Sequence, residues 1–234
     1  IRFNKDIHIG MRNFRPSGWI IKVIYSVGVP SIIMQAIGSV MTFGMNKILI
    51  QFTSTATAVF GVYFKLNSFI FMPVFGLNNG MVPIVAYNYG ARDKKRITQT
   101  IHISIISAVI IMLLGLALFM IFPAQLLGMF NASKDMLAIG VPALRIICLS
   151  FLFAGFCIIV GSVFQALGNG VYSLIISATR QLLFILPAAA ILAKVGGLSA
   201  VWWSITIAEI ASVILSAYFY RKIYREKIAP LGRK

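Results

Sequence analysis

Four charged residues lie inside apolar segments of this sequence, and their side chains are the ones best able to do chemistry there. They are Lys65, Arg145, Arg180 and Glu209. A charge near the centre of a bilayer costs at least about 2.5–3.5 kcal/mol, so such residues usually pair with one another or face a water-filled cavity. Glu209 is the acidic member of this set, which makes it the candidate for binding a proton or a cation.

Glu209 belongs to a stripe of side chains at helical spacing. One helical face carries it together with Trp202, Thr206, Ser212 and Ser216. Arg180 and Glu209 are nearly equidistant from a turn around residues 194–198, so an antiparallel hairpin would bring them together. Two roles therefore stay open. Glu209 is either an ion-coupling carboxylate or the acid of a structural ion pair that closes the hairpin.

Amide side chains form a second candidate site, in and before the stretch from Thr57 to Arg96. Amides cost free energy in hydrocarbon unless another helix or a water-filled cavity satisfies them. They either join neighbouring helices or line a solute pathway, and nearby apolar side chains would give that pathway an adaptable wall. The predicted substrate-cavity residues are Met34, Gln35, Asn67, Phe71, Asn78 and Asn79.

The remaining reactive residue types indicate no catalysis. Lys65 and Arg145 lie near helix ends, where we expect their long side chains to reach the headgroups. Cys148 and Cys157 are nine residues apart on one helix and predict neither a disulfide nor a metal site. A Gly-rich phosphate loop and a Ser/His/Asp set are both missing. The sequence predicts a protein that is not an enzyme, with no catalytic residues and no bound metal.

Composition identifies the elements that must position these residues. The chain is 59% hydrophobic and 11% charged, with a mean hydropathy of +0.92. Soluble domains are about 25% charged, so this is an integral membrane protein. The net charge of +16 does not indicate a nucleic-acid partner. The basic residues stand in blocks between apolar segments, with no basic face interleaved with aromatic residues.

Six apolar segments are long enough to cross a bilayer, which takes about 20 residues. The predicted fold is an all-α bundle of six transmembrane helices over residues 19–222. We expect a cytoplasmic linker at residues 1–18 and a basic cytoplasmic tail at 223–234. The predicted spans are 19–52, 57–90, 97–122, 136–167, 171–193 and 198–220.

The distribution of Lys and Arg predicts the orientation of the bundle. The first 22 residues carry five of them, the loop at 92–96 carries four, and the segment from Arg221 carries six. Loops rich in Lys and Arg stay on the cytoplasmic side. Both termini are therefore expected in the cytoplasm.

An ordered set of motifs resembles the multidrug and toxic compound extrusion (MATE) family. The motifs are Pro30 with Gln35, FGLNNGMVPIVAYNYGARDKKR, FQALGNG, and RQLLFILPAAAIL followed by GGLSAVWWSITIAEI. Together they run from about Gly28 to Tyr220 and resemble the second of the family's two six-helix lobes. Some members carry a Glu in the first of these helices and an Asp in the fourth. Here Gln35 is the mid-span polar residue of the first, and the fourth has no acid beyond its opening turn.

The resemblance implies multidrug efflux by cation antiport with alternating access in a bacterial cytoplasmic membrane. It implies Na⁺ or H⁺ as the coupling ion, no further cofactor, and small cationic or amphiphilic drugs as substrates. The implied partners are the bilayer and an N-terminal six-helix lobe. Two alternatives remain. One is a lipid-linked saccharide flippase of the related superfamily, whose pyrophosphate Lys65, Arg145 and Arg180 would hold. The other is a structural membrane subunit without transport activity.

Overall fold

A computed structural model describes residues 17–232, apart from the side chain of Val27. The predicted linker at 1–18 lies outside the described residues except for its last two. Every element within 17–232 is helical, and six stretches are long and apolar enough to span a membrane. The predicted all-α fold with six spans is confirmed.

The first three spans are single helices, and the last three are interrupted. The single helices are α1 (Gly18–Leu49), α2 (Ser54–Gly90) and α3 (Lys94–Ile121), followed by the short α4 (Pro123–Gly128). The fourth span is α5 (Lys134–Ile147), a 3₁₀ turn (Cys148–Ser150) and α6 (Phe151–Ala166). The fifth is α7 (Gly170–Ala178), a π-helical segment (Thr179–Ile185) and α8 (Leu186–Val201). The sixth is α9 (Trp203–Ile223), a π-helical segment (Tyr224–Ile228) and a 3₁₀ turn (Ala229–Gly232).

Local signals in the sequence account for the helix ends. The side chains of Thr53, Asp93 and Ser133 each accept a hydrogen bond from a backbone N–H in the first turn of the span that follows. Such N-caps satisfy donors that have no partner inside the helix. Gly168 and Gly197 have φ angles of 75° and 65°. They turn the chain where the sequence predicts turns, in a conformation that glycine adopts without a steric cost.

The fourth span lies at the centre of the bundle. It packs against the second, third, fifth and sixth spans, while the first packs mainly against the fifth. A Cβ atom on Gly155 would lie 3.1 Å from the backbone carbonyl of Ala108, so this glycine lets the third and fourth spans approach closely. The largest fully buried aromatic side chains are Phe60, Phe119, Phe151, Phe164 and Trp202.

Two boundaries differ from those predicted. Residues 123–135, which separate the predicted third and fourth spans, contain α4, which begins at a proline as many helices do. The sixth span continues helically past Lys222 to Gly232. The expected tail at 223–234 is therefore, in its described part, folded onto the bundle. Ile223 and Ile228 are buried, and the Lys227 ammonium donates a hydrogen bond of 2.7 Å to the carbonyl of Leu167.

Candidate functional site

Two adjacent cavities lie among five of the six spans, with only the third span contributing to neither. The Glu209 cavity has a volume of about 380 Å³ and the Asn78 cavity about 500 Å³. Four residues line both and mark where the cavities meet: Gln35, Phe75, Ile158 and Arg180. The cavities bring together polar side chains from the first, second, fifth and sixth spans.

Arg180 and Glu209 are in direct contact at the wall of the Glu209 cavity. One guanidinium nitrogen, Nη1, lies 3.4 Å from Oε1 and 3.2 Å from Oε2. The Glu209 side chain is 7% exposed and the Arg180 side chain 29%. Because Arg180 lines both cavities, its charge is near any molecule that enters either of them.

The backbone that carries Arg180 is the π-helical segment Thr179–Ile185. This segment packs against α9, which carries Glu209. Short π-helical segments within α-helices are rare and occur frequently at functional sites. The irregular backbone of the fifth span therefore coincides with Arg180.

The polar stripe of the sixth span faces the interior of the bundle. Its members Trp202, Thr206, Ser212 and Ser216 are buried together with Glu209, as their spacing predicts. The Thr206 hydroxyl donates a hydrogen bond of 3.1 Å to the carbonyl of Ile146 in the fourth span. This face is held against the fourth span and does not contact lipid.

Asn67 and Asn78 lie on one face of α2, three turns apart. Asn67 lines the Glu209 cavity and Asn78 lines the Asn78 cavity. Within the described residues, the Oδ1 atom of each is buried without a hydrogen-bond partner. A buried amide oxygen without a partner costs about 1–3 kcal/mol. These two atoms therefore mark positions where water or a ligand would gain a hydrogen bond.

The other predicted cavity residues also line these walls. Met34 and Asn79 line the Asn78 cavity, and Gln35 lines both cavities. Phe71 lines the Glu209 cavity and packs edge-to-face on Phe151, with ring centroids 5.5 Å apart. All six predicted positions are thus brought to one connected region.

Lys65 and Arg145 lie away from both cavities. Lys65 is exposed, and its Nζ lies 5.7 Å from the ring centroid of Phe130, near the end of the bundle opposite the basic loops. Arg145 is exposed and lines neither cavity. Of the three candidate cations, only Arg180 is part of a cavity wall.

Sequence reasoning missed Gln181. It is buried, lines the Glu209 cavity, and its Nε2 donates a hydrogen bond of 2.7 Å to the Ser177 hydroxyl. A Cβ atom on Gly38 would lie 3.4 Å from its Oε1, so the first span comes close to it here. The available signal was an amide beside a charged residue in the middle of an apolar segment.

Sequence reasoning also missed a polar face on the first span. This first-span stripe consists of Gln35, Ser39, Thr42 and Asn46, at helical spacings of 4, 3 and 4. The four residues line a groove of about 530 Å³ together with Gln181, and Gln35 and Ser39 are exposed. A polar face against lipid is costly. This surface therefore requires water or another protein beside it.

The described residues form an all-helical, polytopic membrane bundle in which an Arg–Glu pair lies beside two cavities. The MatE family model matches residues 30–191. The chain therefore belongs to this family, whose members are MATE transporters and not enzymes.

Similar proteins cover nearly all of this chain. The multidrug export protein MepA of Staphylococcus haemolyticus is 25% identical over 217 residues, which are 93% of this chain and 48% of the relative. The MepA protein of Staphylococcus saprophyticus is 28% identical over 209 residues, 89% of this chain and 46% of the relative. The chain thus spans about half the length of the curated relatives it matches. The six spans and these bacterial relatives indicate a multi-pass bacterial membrane protein.

A solved structure has the same fold. It is an outward-facing multidrug resistance MATE family transporter of the MOP superfamily, 26% identical with a TM-score of 0.86. The match covers 97% of this chain and 51% of that one. The described bundle corresponds to about half of that transporter.

Proposed function

We propose that this chain forms one six-span lobe of an exporter that moves small cationic or amphiphilic drugs out of a bacterial cell in exchange for Na⁺ or H⁺. The observation that carries the proposal is the pair of polar cavities joined at Arg180. The curated relatives are multidrug export proteins, and the chain matches about half of each.

The cavity walls suit an amphiphilic cation. Met34, Phe71 and Phe75 offer apolar surface, and Met in particular adapts to different shapes. The unpartnered Oδ1 atoms of Asn67 and Asn78 offer acceptors to a donor or a positive charge. Pockets for small molecules typically combine an apolar lining with a few placed polar groups.

The Arg180–Glu209 contact offers a way to exchange a cation for a drug. While Glu209 is ionised, it neutralises Arg180 and a cationic drug can approach. When H⁺ or Na⁺ binds the Glu209 carboxylate, the guanidinium loses its partner. Its positive charge, which faces both cavities, then repels the drug. The alternative role is structural, with the pair only joining the fifth and sixth spans.

The first-span stripe supports a second lobe as the partner. Its side chains are polar, and two of them, Gln35 and Ser39, are exposed in the described bundle. An N-terminal six-helix lobe across a shared wet space would cover this face. Rocking of the two lobes about that space would give alternating access.

The saccharide flippase is less well supported by the same geometry. A pyrophosphate cargo needs several cations in the cavity wall, and Lys65 and Arg145 are not there. Arg180 is there, but its charge is balanced by Glu209 at 3.2 Å. The other alternative is a structural subunit without transport activity, and the experiment below distinguishes it from the exporter.

The test is transport by the purified intact protein in liposomes. A fluorescent cationic dye should leave the vesicle lumen only when a Na⁺ or H⁺ gradient is imposed. The substitution Glu209→Gln should abolish this flux at normal expression if Glu209 couples the ion, and Glu226→Gln on the same span should not. No dye flux under either gradient would overturn the exporter. Flux retained by Glu209→Gln would assign Glu209 a structural role only.

A further inference from the structure

The outer surface of the bundle has a basic groove that the transport site does not use. It lies between the third and sixth spans, at the end of the bundle that carries most of the Lys and Arg residues. α6 packs against both α3 and α9. Thr98 and Tyr224 stand at its centre and line a hollow on either side.

The two hollows are lined by cations. The larger, the loop hollow, has a volume of about 1300 Å³ and contains Arg92, Lys94, Lys95 and Lys227. The smaller, the helix hollow, has a volume of about 290 Å³ and contains His102, Arg221 and Arg225. Six permanent positive charges therefore border one continuous depression.

Two acids line the loop hollow without cancelling this charge. Asp93 already binds Arg96, whose Nε lies 3.5 Å from Oδ2, and it also caps the third span. Glu226 is exposed at the rim. The remaining excess of positive charge favours an anionic ligand.

Lys227 is fixed in the floor of the loop hollow. Its ammonium donates to the carbonyl of Leu167 at 2.7 Å and lies 5.9 Å from the ring centroid of Tyr89. An ammonium has three donors, so further hydrogen bonds remain possible. A cation that is already ordered loses less side-chain entropy when it binds a ligand.

The position of the groove indicates which anion would occupy it. The helix hollow opens on the outside of the bundle, where exposed apolar side chains follow the same helix faces into the membrane: Ile106 on the third span, and Ile214 and Tyr218 on the sixth. Tyr220 and Tyr224 also line the helix hollow, and tyrosines are typical of the membrane–water interface. A molecule with an anionic headgroup and apolar chains would match both the cationic hollows and these exposed apolar helix faces.

We propose that this groove binds the headgroup of an anionic phospholipid. Arg221 and Arg225 contact its phosphate, while Lys227 extends the cationic surface into the loop hollow. The acyl chains lie along the exposed faces of the third and sixth spans. Basic pockets between transmembrane helices bind lipid headgroups in this way. The site is independent of the proposed transport activity.

The test is a lipid titration of the intact protein in mixed micelles, with the shift of the thermal unfolding midpoint as the signal. Phosphatidylglycerol should raise the midpoint more than zwitterionic phosphatidylcholine. Replacing both arginines (Arg221→Gln/Arg225→Gln) should weaken the apparent affinity for phosphatidylglycerol about 10- to 30-fold. The charge-preserving Arg221→Lys/Arg225→Lys should keep most of it.

A matched control removes two cations from the same end of the bundle but outside the groove (Lys22→Gln/Lys222→Gln). Lys222 instead lies 5.6 Å from the ring centroid of Tyr172. Equal losses in the control and the double arginine variant would mean general surface charge and would overturn the site. An equal midpoint shift from inorganic phosphate alone would overturn the lipid as its ligand. Unchanged affinity in the double arginine variant would also reject the proposal.

Discussion

Arg180 and Glu209 form an ion pair at membrane depth, and each charge offsets the cost of burying the other. An unpaired charge there is costly, but Glu209 contacts the guanidinium through both oxygens. Removing one partner leaves the other charge buried, whereas removing both leaves two neutral side chains. The two kinds of variant therefore separate the structural contribution of the pair from its chemistry.

Glu209→Gln should lower the free energy of unfolding by about 3 kcal/mol, because the Arg180 charge stays in place without its counter-ion. The double variant Arg180→Gln/Glu209→Gln should recover most of that loss. Unfolding of purified protein in mixed micelles measures both. If the double variant is less stable than Glu209→Gln, the charge of Arg180 is satisfied by another group and the pair is not the stabilising unit.

Asn67→Leu should leave stability unchanged or raise it, because the Oδ1 atom it removes is buried without a partner. Asn88→Leu is the matched control on the same helix. Asn88 is a buried amide whose Nδ2 donates a hydrogen bond of 2.8 Å to the carbonyl of Ile84, so its loss should cost about 0.5–1.5 kcal/mol. Unfolding of the two purified variants measures both effects. A larger loss of stability for Asn67→Leu would mean that the Asn67 amide does have a hydrogen-bond partner.

At the scale of helices, the third and fourth spans are joined by close backbone contact. Membrane helices gain little from burying apolar side chains against each other, since lipid is equally apolar, so small residues at the contact are important. Gly155 provides such a contact with Ala108, while Gly161 on the same helix has no atom within 4 Å of an added Cβ. The two glycines therefore have different structural roles.

Gly155→Ala should destabilise the bundle by about 1–3 kcal/mol, because the methyl group meets backbone atoms that cannot move aside easily. Gly161→Ala should be neutral or mildly stabilising, since alanine is the better helix former. Thermal unfolding of both variants checks this. Equal effects would show that the third and fourth spans can separate without cost.

At the scale of the whole molecule, the described bundle leaves part of a polar helix face exposed. The first-span stripe borders a groove that it shares with Phe64 of the second span and Gln181 of the fifth, and its residues Gln35 and Ser39 are exposed. In a two-lobe transporter this face would border the central water-filled space. In a protein that works as a single bundle it would contact lipid, at a free-energy cost.

A cysteine introduced at Ser39 should react with a membrane-impermeant maleimide in the intact protein after Cys148 and Cys157 are replaced. A thiol must ionise in water to react, so a cysteine at the adjacent Val40 should react on the order of tenfold more slowly. Val40 is exposed and apolar, and it points to a different side of the helix. Equal rates at the two positions would contradict a wet space along the first-span stripe.

Some contacts within the site follow from the sequence and others do not. The sequence predicts that Arg180 and Glu209 lie close together, because both are nearly equidistant from one turn, and the structure places them 3.2 Å apart. The sequence does not predict the role of Gln181, because that role depends on contact with Gly38 of the first span, which is distant in the chain. The sequence also does not predict that the end of the sixth span packs onto the bundle, because the buried Ile223 and Ile228 stand among charged residues.

The sequence by itself determined the six spans, the basic end of the bundle and the face on which each polar side chain stands. These follow from hydropathy, charge and the 3.6-residue period, all of which are local along the chain. Only the tertiary structure decided which spans are neighbours. Asn67 and Asn78 share a helix face yet line different cavities, and Lys65 turns away toward Phe130. Which spans become neighbours depends on close packing between segments that are distant in the chain. The periodic pattern of a single segment does not contain that information.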